Sequence, residues 1–179
     1  AHAPEFTYRR LLDAAAMAKR LGAQIMGLGA FTKVVGDAGL TVAKRAPLPI
    51  TTGNSYSASG ALWAAHDAML RMRLLPAPKG KEPVQCKAMI VGATGAIGSV
   101  CARLMARAVE EGYLVSPETA KLLELKESIL KDSPKVKIFL SAQADKDIAD
   151  MDMIVTATSG AGKKVLDIMK VKPGCVITD

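Results

Sequence analysis

Seven residues, Gly92-Ala93-Thr94-Gly95-Ala96-Ile97-Gly98, have the types and spacing to hold a phosphate. Glycines three apart let a chain turn tightly and let a charged group approach the backbone, and free amides at the start of a following helix would face that charge. The spacing departs from plain G-x-G-x-x-G, because Ala93 stands where the first glycine is usual. The same residues would also make a tight packing turn. Their place between an apolar run and a helical pattern favours a dinucleotide site, with Gly92, Thr94, Gly95, Ala96 and Ile97 along the pyrophosphate.

Two stretches would complete such a site. Ser116-Pro117-Glu118-Thr119, with Lys121 nearby, falls at the end of the second strand, where an acid accepts the ribose hydroxyls of NAD and a base meets the extra phosphate of NADP. Ser116 and Thr119 can donate to a phosphate, and Glu118 either repels it or is an ordinary first-turn acid of the next helix. The balance tips slightly to NADP, with NAD left open. Thr156-Ala157-Thr158-Ser159 follows the fourth strand and either lines the nicotinamide side or caps a helix.

Candidate catalytic groups lie earlier. Lys33 either binds a carbonyl or carboxylate oxygen, donating a proton if its pKa is depressed, or is a solvated surface lysine. Asn54 and Ser55 either hydrogen-bond a substrate or form a turn and helix cap. Tyr56 is a proton donor or a packed ring, His66 reads as a packed or surface residue, and Trp63 as buried against the sheet.

The elements that must position these groups follow from periodicity. Leu11 to Leu21 has helical spacing, Gln24 to Thr32 reads as a strand entering a loop, and Val42 to Thr52, with Pro47 and Pro49, reads as extended. A helix is predicted over residues 58–73. The segment Leu75-Pro76-Ala77-Pro78-Lys79-Gly80-Lys81-Glu82-Pro83 is the clearest linker, dividing an incomplete substrate domain (1–75) from a cofactor domain (84–179). Beyond it, strands at 88–91, 113–115, 136–140, 153–156 and 175–177 alternate with helices. One helix carries Val100 to Val109, and another has Ser116 at its N-cap and Pro117 at its first position. That grammar implies α/β architecture: a Rossmann-type parallel sheet preceded by a partial α/β domain.

Composition removes other classes. The chain has 179 residues, 50% hydrophobic and 23% charged, which is enough to bury a core and excludes disorder. Charged residues interrupt every apolar stretch, so no membrane span is expected. Three scattered cysteines make neither a disulfide framework nor a metal pattern, which predicts a reducing, cytoplasmic setting and no metal. The net charge of +7 with only 4% aromatics argues against nucleic acid; Arg71, Arg73, Lys79 and Lys81 could instead dock an acidic carrier protein. The chain opens on Ala1 without a signal-peptide layout and stops at Asp179 directly after an apolar run, which suggests a fragment.

The motifs Gly27-Leu28-Gly29-Ala30-Phe31-Thr32 and Thr51-Thr52-Gly53-Asn54-Ser55-Tyr56-Ser57-Ala58, followed by the loop Val91 to Ser99, resemble the cyanobacterial long-chain acyl-[acyl-carrier-protein] reductases and, more distantly, the shikimate-dehydrogenase-like group. The resemblance covers most of the chain. It implies an NADP-dependent oxidoreductase whose two domains close over a cleft and act on a small-molecule or carrier-bound acyl group. The nucleophilic cysteine of the acyl reductases lies in a region beyond these residues, and none of Cys86, Cys101 or Cys175 matches it. The acid of the shikimate enzymes' Asn-Thr-Asp segment has no counterpart at Asn54-Ser55-Tyr56. Two rival readings stay open: a shikimate- or methylene-pterin-type dehydrogenase, and a non-catalytic NADP-sensing module. A homo-oligomer is compatible with each.

Overall fold

The computed structural model describes residues 4–29, 37, 39–75, 83–158 and 164–179. Tyr8, Leu28 and Val42 are the buried centre of the first of two compact units, Ala1–Gly53, with Leu11, Leu12, Met26 and Ile50 packed around them. Helix α1 (Pro4–Arg20) supplies Tyr8, and strand β1 (Met26–Gly27) pairs in parallel with β2 (Ile50–Thr51). Between the strands lies a helix that the sequence pattern did not predict, α2 (Leu40–Arg45). Asp37 starts it: its carboxylate accepts the Thr41 amide at 2.9 Å and the Thr41 hydroxyl at 2.6 Å, which holds the carboxyl below its usual range. The extended backbone expected around Pro47 and Pro49 therefore begins only at Ala46, after the helix has ended.

The second unit, Asn54–Asp179, contains the main sheet. Its elements are α3 (Asn54–Arg71), β3 (Val84–Val91), α4 (Ala96–Met105), β4 (Val109–Val115), α5 (Thr119–Asp132), β5 (Lys137–Ser141), β6 (Met153–Thr156) and β7 (Val176–Thr178), with 3-10 turns at Ala144–Lys146, Ile148–Asp150 and Ile168–Lys170. The strands lie in the order β5-β4-β3-β6-β7, all parallel. This is a Rossmann-type α/β fold.

The continuous apolar run in β3 follows from burial on both faces. Alternate side chains point opposite ways. Ala88 and Ile90 join Leu114, Val155, Met69, Met105, Leu122 and Ile129 in one core, while Met89 and Val91 join Val115, Ala144, Ile148, Met151 and Ile154 in the other. Register brings Ile90 beside Leu114 on one side and Val155 on the other. Shortening Leu114 to Ala would cost about 2–5 kcal/mol, the usual penalty for emptying so buried a site.

Several boundaries differ from the sequence pattern. The helix predicted through Val109 ends at Met105, because Val109 to Glu111 enters the sheet beside Val84 and Lys87, lengthening both strands at their polar starts. Helix α3 begins four residues earlier than predicted, taking Asn54 and Tyr56 into its first turn. Ser116 is not an N-cap: its amide donates to Ser141 O at 3.2 Å, so it stays with the sheet, and α5 starts at Thr119 with Glu118 in the cap position. Trp63 is not buried against the sheet. Helix α3 buries Ala58, Ala65 and Met69, and Trp63 lies off that stripe, 69% exposed. Of the linker, residues 76–82 lie outside the described residues; the compact units divide after Gly53, with α3 in the second.

Candidate functional site

Strands β4 and β5 lie on one side of β3, and β6 and β7 on the other. The chain thus leaves β3 and β6 in opposite directions, and in such sheets a crevice opens at the carboxyl ends of the two diverging strands. Gly92 follows β3, and Ala157 and Thr158 follow β6, joined where the Ala157 amide donates to Val91 O at 2.8 Å.

Two glycines of the loop are required by space. Gly92 has φ +82°, a left-handed conformation, and a Cβ there would lie 2.8 Å from both Ala157 O and Thr158 Cβ. A Cβ on Gly98 would lie 2.1 Å from Gly92 O, so the first turn of α4 rests directly on the loop backbone. The left-handed residue is therefore Gly92, which explains why buried Ala93 is tolerated in the place of the first glycine. Helix α4 opens at Gly95 with no side-chain cap and no acid in its first turn. Its leading amides, those of Ala96 and Ile97 among them, have no carbonyl of their own helix to meet, and they carry the positive end of the helix dipole. This cradle fits a pyrophosphate.

Beside it is a cavity of about 380 Å³ whose walls include Val91, Gly92, Ser116, Gln143, Thr158 and Lys164. Asp145 also borders it. The Lys170 ammonium and, after it, the Asp167 amide hydrogen-bond this carboxylate and hold its pKa below the usual range.

At the end of β4 the hydroxyls form a closed ring. Thr94 Oγ1 donates to Glu118 Oε2 at 2.8 Å and lies 2.7 Å from Ser116 Oγ, while Ser116 Oγ accepts the Glu118 amide at 3.2 Å. Thr94 has one hydrogen, so once it serves the carboxylate the Ser116 hydroxyl must donate to Thr94. Both hydroxyl hydrogens are then committed within the protein. The other carboxylate oxygen pairs with Lys121 Nζ at 2.5 Å, and the Lys121 and Thr94 bonds together keep the Glu118 carboxyl below its ordinary pKa.

Of the other predicted residues, Thr156 ends β6, where its hydroxyl donates to the Asp179 carboxylate; Ala157 and Thr158 stand over Gly92. Lys33 and Ser159 lie outside the described residues. Asn54 and Tyr56 share the first turn of α3, with Tyr56 87% exposed, and His66 is half-buried in an apolar cavity of about 310 Å³ with Trp63 and Met69. Gln143, Lys164 and Asp179 were not anticipated. Their signal was topological, since each is placed at the carboxyl end of the sheet only once strand order is known.

All three cysteines sit where burial disfavours the thiolate. Burial pushes the Cys86 thiol up to about 12 and, less strongly, Cys175 to about 11, and it also raises the thiol of fully buried Cys101. Among the described residues no three acidic, His or Cys side chains group as metal ligands, and no helix is long and apolar enough to cross a membrane. Of the basic group read as a docking patch, Lys79 and Lys81 lie outside the described residues, and Arg71 pairs with Asp67 at 2.7 Å.

No protein-family model matches the chain. It is 30% identical over 159 residues, 88% of its length, to Aminotransferase PigE of Serratia sp. (strain ATCC 39006), and spans 18% of that protein. Among solved structures it is similar to quinate dehydrogenase from Corynebacterium glutamicum in complex with NAD, with 14% identity, 93% of this chain and 62% of that one covered, and a TM-score of 0.55. Shikimate 5-dehydrogenase from Listeria monocytogenes, in complex with shikimate and NAD, gives 15% identity, 94% and 63% coverage, and 0.54. Aspartate transcarbamoylase from Trypanosoma cruzi gives 14% identity, 93% and 57% coverage, and 0.57. The chain spans under two thirds of each. Dehydrogenases and a carbamoyl transferase match about equally well, so the likeness fixes a Rossmann-like α/β fold and leaves chemistry to the site.

Proposed function

We propose that the chain is the NAD(P)-binding part of an oxidoreductase that transfers a hydride to or from a carbonyl or acyl group. The observation that carries this reading is the Gly98–Gly92 contact: a helix start pressed onto a left-handed glycine at the strand divergence is a shape made for a pyrophosphate. When bound, the nicotinamide supplies the hydride chemistry. The chain's own residues bind and orient. The α4 amides meet the pyrophosphate, the cavity between Ser116 and Gln143 receives the adenosine half, and Thr156 to Thr158 flank the nicotinamide half across the divergence. In this reading residues 84–179 hold the cofactor and residues 1–75 belong to a substrate portion, with Lys33, Asn54 and Tyr56 as candidates to bind or protonate the carbonyl oxygen.

The motif resemblance favours NADP and reduction of a carrier-bound acyl group to an aldehyde. An aldehyde product is also compatible with the likeness to a protein named as an aminotransferase, because aldehydes and ketones are what transamination consumes. Incubation with NADPH and an acyl-carrier thioester, followed by aldehyde detection, tests it. Dinucleotide binding without turnover of any acyl donor, joined by turnover of a small polar alcohol, would favour the shikimate-type alternative.

A further inference from the structure

We infer that the apolar cavity between α3 and α4 is a second ligand site, which takes an unbranched carboxylic acid of about ten carbons with its carboxylate at His66. The inference does not depend on the dinucleotide reading. The cavity, of about 310 Å³, lies wholly within the second unit. Its strand walls are Val84 and Cys86 of β3, Val109 of β4 and Met153 of β6, each at or near the start of its strand. At about 3.3 Å per residue, Cys86 stands about 16 Å along β3 from Val91, where the cofactor crevice begins. Ala88 and Ile90, on the same face of β3 as Cys86, are fully buried between the two places. A molecule held in this cavity is therefore separated by packed core from the site of hydride transfer.

The lining dictates the ligand. Helices α3 and α4 meet where the Cys101 thiol donates to Ala58 O at 3.8 Å, and toward their carboxyl ends Leu62, Met69, Leu104 and Met105 wall the cavity. Met69, Met105 and Met153 are buried, and their unbranched, flexible side chains adapt to the shape of an aliphatic chain. Trp63, well exposed, stands at the outer edge. Among the described residues that line the space none is Asp, Glu, Lys or Arg, and His66 is the one ring that offers a strong N–H donor to its interior. That ring is half-buried and has no hydrogen-bond partner among the described residues. An apolar body with one acceptor at its end satisfies both features, and a carboxylate draws the strongest bond from an imidazole N–H. An ammonium head would meet no anion here. An apolar hole of about 150 Å³ holds the six carbons of benzene, so a space of about 310 Å³ takes roughly twelve non-hydrogen atoms, the size of decanoate.

The experiment titrates decanoate into the wild-type chain, His66→Leu and Ala108→Phe, reading heat and Trp63 emission, with circular dichroism melts to show that each is folded. Ala108 lines the cavity, and a phenyl group there fills it. The wild type is expected to bind one decanoate per chain with a blue shift of Trp63 emission, and to bind hexanoate, which has four fewer methylenes to bury, at least roughly tenfold more weakly. Decylamine, with the same chain and the opposite charge, should bind at least roughly tenfold more weakly than decanoate, and His66→Leu should weaken decanoate about tenfold. Ala108→Phe should abolish binding, and saturating NADH or NADPH should leave decanoate affinity within about twofold. A folded wild type without saturable decanoate binding, a folded Ala108→Phe that binds as the wild type does, or displacement of decanoate by a dinucleotide would overturn the site. Equal affinity for decanoate and decylamine, or a folded His66→Leu with unchanged affinity, would overturn the role given to His66. Decanoate binding by a chain that binds neither dinucleotide would remove the proposed function and leave this site standing.

Discussion

The carbonyl oxygen of Gly92 occupies the space that a side chain on Gly98 would need: a Cβ built there lies 2.1 Å away, far inside contact distance. The obstacle is backbone, so it cannot swing aside as the tip of a flexible side chain would. Gly98→Ala must therefore push α4 off the loop or open the Gly92 turn. The expected result is a loss of roughly 1–3 kcal/mol in stability, the scale of enforced backbone strain, together with at least tenfold weaker dinucleotide binding. Denaturant melts and calorimetric titration of the same variant check the two effects separately.

Cysteine chemistry gives a second prediction. With Cys86 and Cys101 buried and all three thiols raised, native protein at pH 7.5 should react slowly with iodoacetamide, and acyl thioesters should leave no adduct on Cys86, Cys101 or Cys175. Intact-protein mass spectrometry after one hour reads this. Rapid labelling of Cys86 without denaturant would show that β3 is not packed into the sheet core.

A third prediction concerns the opposite end of the sheet. Asp152 accepts the Lys87 amide at 2.8 Å and Lys172 Nζ at 2.5 Å, tying β3 to the segment before β7, and that hydrogen bond raises the pKa of Lys172. A raised lysine stabilises the fold fully below its unfolded value of about 10.4 and loses that contribution as pH climbs through the higher folded value. Lys172 is 39% exposed, so solvent screening keeps the gain to about 1 kcal/mol or less. Lys172→Met should lower Tm at pH 8 and erase part of the wild type's decline between about pH 10 and 12. Equal slopes for both proteins would remove the ion pair from the account.

Trp63 offers a direct optical check. It is the single tryptophan of the chain and 69% exposed, so its emission should resemble that of a solvated indole and be quenched readily by acrylamide. A blue-shifted, protected emission would mean that the α3 face it occupies is covered.

Much of this fold was legible in sequence for a simple reason. Where a strand is buried on both faces, as at Ala88 to Val91, the apolar run is continuous and flanked by glycine, and its place in the sheet follows. The site's backbone was legible too, because Gly92 and Gly98 can be little else where they stand. What escaped depended on contacts between distant residues. Helix α2 is started by the Asp37–Thr41 bonds rather than by an apolar stripe, and the start of β4 at Val109 is fixed by pairing with Val84, which overrides local helical spacing. Trp63 was expected to be buried against the sheet, whereas the turn of the helix decides which face it joins. The bonds of the Thr94 hydroxyl to Ser116 and to Glu118 join residues 22 and 24 positions apart, which no local pattern encodes.

The proposed function stands on a dinucleotide held by the loop at the β3–α4 turn. Isothermal titration of the folded chain with NADH and with NADPH, in parallel with Gly98→Ala, tests it most directly. Saturable binding at one site per chain is expected, weakening at least tenfold in the variant. Absence of saturable binding to the folded wild-type chain, or equal binding by wild type and variant, would contradict it.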